Sequence, residues 1–172
     1  MGFNINTPAA PATEKMTKEQ LDAAIAYLRQ GWNAQAFALL SAAGAGIEKE
    51  SAARFALGLC QLRAGDLASA ISSMEQALHL LGSMSAPSRE TSESTETYLR
   101  LYAAQIADKI YLSPMSTDFC LRFPKPARET VLLALIYVYQ KKGMSEQALK
   151  LAAGLTGAVF EEYKKKLAAA NL

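Results

Sequence analysis

Residues 51–81, SAARFALGLCQLRAGDLASAISSMEQALHLL, form the stretch that decides the fold. Apolar residues recur at helical spacing on both sides of Gly65-Asp66, which predicts two helices joined by a very short turn. Gly65 supplies the left-handed backbone that ends the first helix, and Asp66 can cap the second. A link this short forces the two helices to run antiparallel. Such a pair needs neighbours to bury both of its apolar faces.

Gly58 lies in the middle of the first of these helices. Glycine at such a position costs about 1 kcal/mol relative to alanine. We therefore expect a packing reason for it, and the close approach of a neighbouring helix is the one that the pattern favours.

The composition is that of one ordinary globular domain. The chain has 172 residues, of which 51% are hydrophobic and 20% are charged, and its net charge is +2. So small a charge gives no electrostatic case for nucleic acid or an anionic membrane as partner. No run approaches eighteen apolar residues, and the N-terminus lacks the basic and apolar blocks of a secretory signal. The expected location is the cytoplasm.

The stretch 17–45 repeats the pattern of the central one. Thr17 to Gln20 has the form of a capping box, which predicts a helix start at this threonine. Gly31 then ends that helix, 34 residues before Gly65. At this spacing four pairs of residues are in register: Ala24 with Gly58, Ala36 with Ala70, Leu40 with Met74, and Ala43 with Ala77. A fixed period with small residues at the same phases is typical of stacked helical repeats.

The pattern resembles the tetratricopeptide repeat. The residues that match the family's positions are Leu57-Gly58, Gly65-Asp66, Ala70, Ala77 and Leu78. The resemblance implies an all-α fold, a short right-handed α-solenoid of antiparallel helix pairs with a C-terminal capping helix. It divides the chain into a flexible tail over 1–15 and one domain over 16–172, with pairs at about 17–45, 50–81 and 127–154, a degenerate unit at 95–123 and the capping helix at 156–170.

Three parts of the chain carry further expectations. The tail contains Phe3 and Ile5, which either lie in a disordered terminus or dock into a groove. The Ser- and Thr-rich stretch 82–97 is interpreted as a linker, with phosphorylation as the alternative. The next helix is predicted from Tyr98 to Tyr111, with Leu101, Tyr102, Ile106, Ala107 and Ile110 at core spacing.

In the tetratricopeptide family, the first helix of each pair lines a concave groove. The resemblance places twelve residues there: Leu21, Ile25, Leu28 and Arg29 from the first pair, Phe55, Leu59, Leu62 and Arg63 from the second, and Leu133, Tyr137, Gln140 and Lys141 from the last. These positions are largely apolar, so we do not expect the carboxylate clamp that some members use. An apolar groove needs a cover. A partner segment, the chain's own tail or Tyr98 helix, and a second copy all remain open, as does packing inside an irregular bundle.

No constellation of residues indicates catalysis. His79, the only histidine, falls on the outer face of its helix, and Cys60 and Cys120 are too few and too distant for a zinc site. No glycine-rich phosphate loop occurs. Cys60 lies in an apolar helical pattern, so a buried free thiol is expected. We therefore expect neither an enzyme, nor a cofactor, nor a metal.

The predicted function is a non-catalytic protein–protein interaction module, a scaffold or adaptor that holds an apolar peptide or helix of a partner in the groove. One alternative is a chaperone for a specific client, because the size and the three repeats resemble chaperones that bind secreted translocator proteins in bacteria. Another is a self-associating structural protein, a homodimer included, whose groove is filled by its own tail or by another copy.

Overall fold

The structure, a computed structural model, describes residues 17–82 and 96–169. Across these two ranges the chain forms only helices and turns, which confirms the all-α prediction for them. The α-helices are α1 (Lys18–Arg29), α2 (Asn33–Ala42), α3 (Ser51–Arg63), α4 (Leu67–Gly82), α5 (Glu96–Ala107), α6 (Thr117–Arg122), α7 (Pro124–Lys141), α8 (Ser145–Ala152) and α9 (Ala158–Ala169). Two 3-10 turns cover Gly44–Ile47 and Ile110–Leu112. The predicted tail, with Phe3 and Ile5, and most of the stretch 82–97 lie outside the described residues.

α1 begins at the predicted capping box. The Thr17 hydroxyl accepts a hydrogen bond from the backbone N–H of Gln20 at 3.3 Å, and the Gln20 side-chain oxygen accepts one from the backbone N–H of Thr17 at 2.9 Å. The two bonds satisfy donors that a helix start otherwise leaves without partners. The sequence therefore located this helix boundary correctly.

Three turns of the fold share one hydrogen-bond pattern. They join α1 to α2 at Gly31, α3 to α4 at Gly65, and α7 to α8 at Gly143, where φ is 82°, 83° and 75°. Each glycine N–H donates to the carbonyl three residues earlier, and the next N–H donates to the carbonyl five residues earlier at 2.8 to 2.9 Å. This is the Schellman arrangement, and its left-handed residue favours glycine because a Cβ would be strained there.

Successive helices pack on one another in a fixed order. α1 contacts α2, α2 contacts α3, and α3 contacts α4, while α7 contacts α8 and α8 contacts α9. The link between these groups is a direct packing of α4 on α7. The Tyr139 hydroxyl of α7 donates to Glu75 Oε1 of α4 at 2.6 Å across that contact.

The contact between α4 and α7 bears on the degenerate unit at 95–123, which stays a prediction. A stacked unit would separate α4 from α7, whereas α5 packs on α9 and on the turn Ile110–Leu112. The apolar side of α7 packs directly on α4. Val131, Leu135 and Val138 of α7 have no exposed surface at all.

The helix predicted from Tyr98 to Tyr111 ends earlier, at Ala107. Lys109 has a left-handed backbone with φ 55°, which breaks the helix and starts the 3-10 turn. Leu101 is 63% exposed and Ile110 is 51% exposed, so their predicted core positions are wrong. The break turns Tyr111 inward instead, and this side chain is only 8% exposed.

Gly58 confirms the expected close approach of a neighbouring helix. A Cβ built on this residue would lie 2.7 Å from Met74 Cγ and 3.3 Å from the Ala70 carbonyl oxygen. Real Cβ atoms essentially never approach another atom as closely as the first of these distances. Glycine therefore lets α3 and α4 pack more closely than alanine would.

Candidate interaction face

The predicted groove residues divide into a buried apolar set and an exposed polar set. Arg29, Arg63, Gln140 and Lys141 are exposed, and Leu62 and Tyr137 are half-buried. The remaining members are each at most 4% exposed: Leu21, Ile25, Leu28, Phe55, Leu59 and Leu133. In the described conformation these six side chains contact the rest of the chain. A partner can touch them only if something else moves away.

Residues 109–123, which we call the cover segment, pack on α3 and α7. The segment contains the 3-10 turn, which contacts α7, and α6, which contacts both α3 and α7. Its own inward side chains are buried: Tyr111 is 8% exposed, Met115 is 6% exposed and Cys120 is 1% exposed. The chain therefore uses an internal stretch to cover two of the three helices that were expected to line the groove.

Tyr137 is a predicted groove residue that contacts the cover segment. Its ring packs edge to face with the ring of Tyr111, with 6.4 Å between the centroids. The Lys109 ammonium lies 5.1 Å from the centroid of the Tyr137 ring, and the Lys141 ammonium lies 5.5 Å from it. Both are within the range of a cation–π attraction. Burial, with Tyr163 and Tyr137 nearby, raises the pKa of Tyr111 far above its usual range.

Arg63 is the second predicted groove residue that contacts the cover segment. Its guanidinium donates to the Leu28 carbonyl at 2.8 Å and to Asn33 Oδ1 at 2.7 Å. It also reaches the Leu112 carbonyl of the cover segment at 3.5 Å, a distance typical of a weak hydrogen bond. Arg63 is thus held firmly by the first helix pair and only loosely by the cover segment.

An ion pair joins the cover segment to the start of α1. Lys18 Nζ lies 3.3 Å from Asp118 Oδ2, and the two side chains are 63% and 58% exposed. An exposed pair of this kind is worth at most about 1 kcal/mol. Ser116 caps α6 by accepting a hydrogen bond from the backbone N–H of Phe119 at 3.2 Å. The polar contacts of the cover segment are therefore weak, and its buried side chains supply most of its attachment.

The two cysteines are both free and buried, which confirms the expectation for Cys60. Burial raises the pKa of the Cys60 thiol to about 11, although the nearby Arg63 opposes this rise. Burial also raises the pKa of Cys120, and a hydrogen bond with Ser51 at the start of α3 partly offsets that effect. Because the thiolate is the reactive form, both side chains should react slowly at neutral pH.

A separate open cleft of about 560 Å³ lies where α4, α7 and α8 meet. The eight-residue α8 covers only part of the eighteen-residue α7, which leaves this space. Its lining is Glu75, Leu78, His79, Gly82, Arg128, Leu135 and Leu151. Glu75 is already hydrogen-bonded to Tyr139, and the cleft brings together no further acid–base pair. His79 is exposed, as predicted.

The role of the cover segment was not predicted from the sequence. The stretch from Ile110 to Phe123 contains Tyr111, Leu112, Met115, Phe119 and Cys120, which is more apolar content than a surface connection needs. That excess predicts burial, but periodicity within one short helix does not say which helices it will meet.

Within residues 17–82 and 96–169, no group of histidine, cysteine and acidic side chains is arranged to hold a metal ion. None of the helices in this part of the chain is both long enough and apolar enough to cross a bilayer. In comparisons with known proteins, the chain matches no family model, no curated protein and no solved structure.

Proposed function

We propose that this chain is a non-catalytic protein-interaction module. In this proposal it is a short right-handed stack of antiparallel, tetratricopeptide-like helix pairs that binds an apolar segment of a partner on the face of α1, α3 and α7. The observation that carries the proposal is the repetition of one turn geometry at Gly31, Gly65 and Gly143. The same hydrogen-bonded turn occurs three times along the chain, as is typical of stacked helical repeats.

The small residues that follow these turns support the same register. Ala36, Ala70 and Ala148 each lie five residues after a turn glycine, and each has no exposed surface. A fully buried alanine at the same phase of three helices lets each second helix approach its neighbours in the same way. This shared position supports a common packing scheme for the proposed pairs.

A row of cations at matching positions gives the proposed face its polarity. Arg29, Arg63 and Lys141 each lie in the last turn of the first helix of a pair. Cations are favourable at helix C-termini, and all three side chains are exposed. A partner segment with apolar side chains and at least one carboxylate would complement this face.

The test is a selection of displayed peptides against the full chain, followed by calorimetric titration of the selected peptides. We expect saturable binding that weakens at least about fivefold in Lys141→Glu, because reversing a charge at an interface costs about 1 kcal/mol or more. Lys165→Glu is the matched control, since Lys165 is exposed on α9, which is not one of the three helices of the proposed face. Failure to select any peptide, or equal loss in both variants, would refute the module.

A second candidate is a self-contained structural protein, and one observation favours it. The cover segment already occupies α3 and α7, so the face needs no partner if this segment never leaves. The two candidates differ in whether the cover segment can be displaced.

A further inference from the structure

We infer that the cover segment occupies the binding site of the partner, and that a partner segment of the same chemistry displaces it from α3 and α7. The partner segment would carry an aromatic residue, a proline–methionine pair three residues further on, and an acidic residue after it. This inference rests on the proposed function, because it names the partner class and the control of the same face.

The cover segment contacts α3 and α7 as a bound peptide would. It contains only a three-residue 3-10 turn and the six-residue α6, so it brings no long helix of its own. Its attachment comes from a few inward side chains, Tyr111, Pro114, Met115 and Cys120, which are all buried. Short peptides bind in the same way, through a small number of anchors in a preformed surface.

Both ends of the cover segment are breaks in the helical backbone. At the front, Lys109, two residues after the end of α5, has φ 55°. At the back, Phe123 has φ −132° and ψ 61° directly before α7. Rotation at these two residues moves the segment as a unit while α5 and α7 keep their hydrogen bonds.

The cover segment also fails to bury its outer side. Leu121 is 57% exposed and Phe123 is 50% exposed. Its polar ties are the exposed pair of Lys18 with Asp118, the long contact from Arg63 to the Leu112 carbonyl, the Lys109 ammonium near the Tyr137 ring, and the hydrogen bond between Cys120 and Ser51. A segment that is held by few anchors, with apolar surface left over, is suited to exchange with a competitor that binds more completely.

The chemistry of the displaced contacts defines the partner. Tyr111 packs against the ring of Tyr137, which the Lys141 ammonium of α7 also faces, so the equivalent partner residue should be aromatic. Asp118 pairs with Lys18, so an acidic residue should follow at a similar spacing. The exposed Arg29 and Lys141 at the same helix ends favour further negative charge.

The position of the cover segment can be measured without any partner. Cys120 is part of the segment and is buried against Ser51 of α3, whereas Cys60 lies nine residues after Ser51 along α3, about 13 Å by helical rise. Alkylation of Cys120 therefore reports release of the segment. Alkylation of both cysteines together reports unfolding of the domain.

The principal variant is Tyr111→Ala, which removes an anchor from the segment and leaves α3 and α7 intact. We expect the alkylation rate of Cys120 to rise on the order of 100-fold, as for loss of a large buried side chain, and that of Cys60 to change far less. The probe ligand is a labelled synthetic peptide of residues 109–123 carrying Cys120→Ser. Its affinity for the Tyr111→Ala variant should rise by the same factor as the alkylation rate of Cys120. Both quantities depend on the fraction of molecules in which the cover segment has left α3 and α7.

Asp118→Lys is the second variant, for the case in which Tyr111→Ala exposes both cysteines. It places a like charge beside Lys18 at an exposed site, so folding is not at risk. The expected rise in the Cys120 rate and in peptide affinity is about two- to fivefold. Glu162→Lys is its control, since it breaks a somewhat more exposed ion pair with Lys166 on α9 and should leave both values unchanged.

The outcomes separate this inference from the proposed function. If the peptide binds the wild type and both segment variants equally, and Lys141→Glu still weakens binding, the module stands and displacement is wrong. If Cys120 becomes accessible but the peptide binds no form, both ideas fail. If the Cys120 rate is unchanged in both segment variants, the cover segment is a fixed part of the core and the inference is overturned.

Discussion

The substitution Gly58→Ala tests whether the close packing of α3 on α4 outweighs helix propensity. The added methyl would lie 2.7 Å from Met74 Cγ and 3.3 Å from the Ala70 carbonyl oxygen. Overpacking of this kind costs about 2 kcal/mol, and the gain from replacing a helical glycine by alanine is about 1 kcal/mol. The net expectation is a loss of about 1 kcal/mol in the free energy of unfolding.

The assay is urea unfolding followed by circular dichroism, in wild type and in a Met74→Ala background. Met74→Ala removes the Cγ that the new methyl would meet and leaves only the milder contact with the Ala70 carbonyl. In that background Gly58→Ala should stabilise the protein by about 0.5 to 1 kcal/mol. The sign of the effect therefore reverses, with a coupling energy of about 1.5 to 2 kcal/mol between the two positions.

Gly82→Ala is the control, because a Cβ at this last residue of α4 would meet nothing within 4 Å. It should leave the free energy of unfolding unchanged or raise it slightly. If Gly58→Ala stabilises the wild type as well, α3 and α4 are not held at the distance described, and the packing argument is wrong.

Substitutions at three further positions are tested by the same unfolding assay. Tyr139→Phe removes the hydrogen bond to Glu75 and should cost about 1 kcal/mol at neutral pH. Burial first, and then Glu75, raises the pKa of Tyr139 from 10.0 to about 12. The contribution of this hydroxyl to the free energy of unfolding is therefore complete below pH 10 and is lost as the pH rises to 12. Tyr139→Phe should abolish this pH-dependent loss. Cys60→Ala should likewise reduce the loss of stability above pH 9, because burial raises the pKa of this thiol from 9.0 to about 11. Gly65→Ala should cost about 1 kcal/mol through its left-handed backbone, and Gly65→Asn should cost less; equal stability of the two variants would contradict the strain argument.

The helices and turns near Gly31, Gly65 and Gly143 were predictable because their causes are local. A capping box, a left-handed glycine and apolar residues at helical spacing each act within one or two turns of backbone. The packing role of Gly58 was predictable for a related reason. A glycine in the middle of a helix is costly wherever it occurs, so close packing is its natural explanation.

The candidate face was only half predictable. Periodicity identified Phe55 and Leu59 as apolar helix positions, and the resemblance placed Leu133 on the same face, but neither named the element that covers them. That choice depends on contacts between residues far apart in sequence, such as Lys18 with Asp118. Leu101 also shows that periodicity alone does not predict burial. It has core spacing on its helix, but it meets no complementary surface and remains exposed.

The direct packing of α4 on α7 has a consequence for the order of folding. The pairs α1–α2 and α3–α4 each close over a few residues, whereas α7 must find α4 across the stretch 83–123. Closing a loop of about 40 residues costs about 2 kcal/mol more entropy than closing one of about four. The first two pairs should therefore assemble early, and the docking of α7 should form the late step that completes the domain.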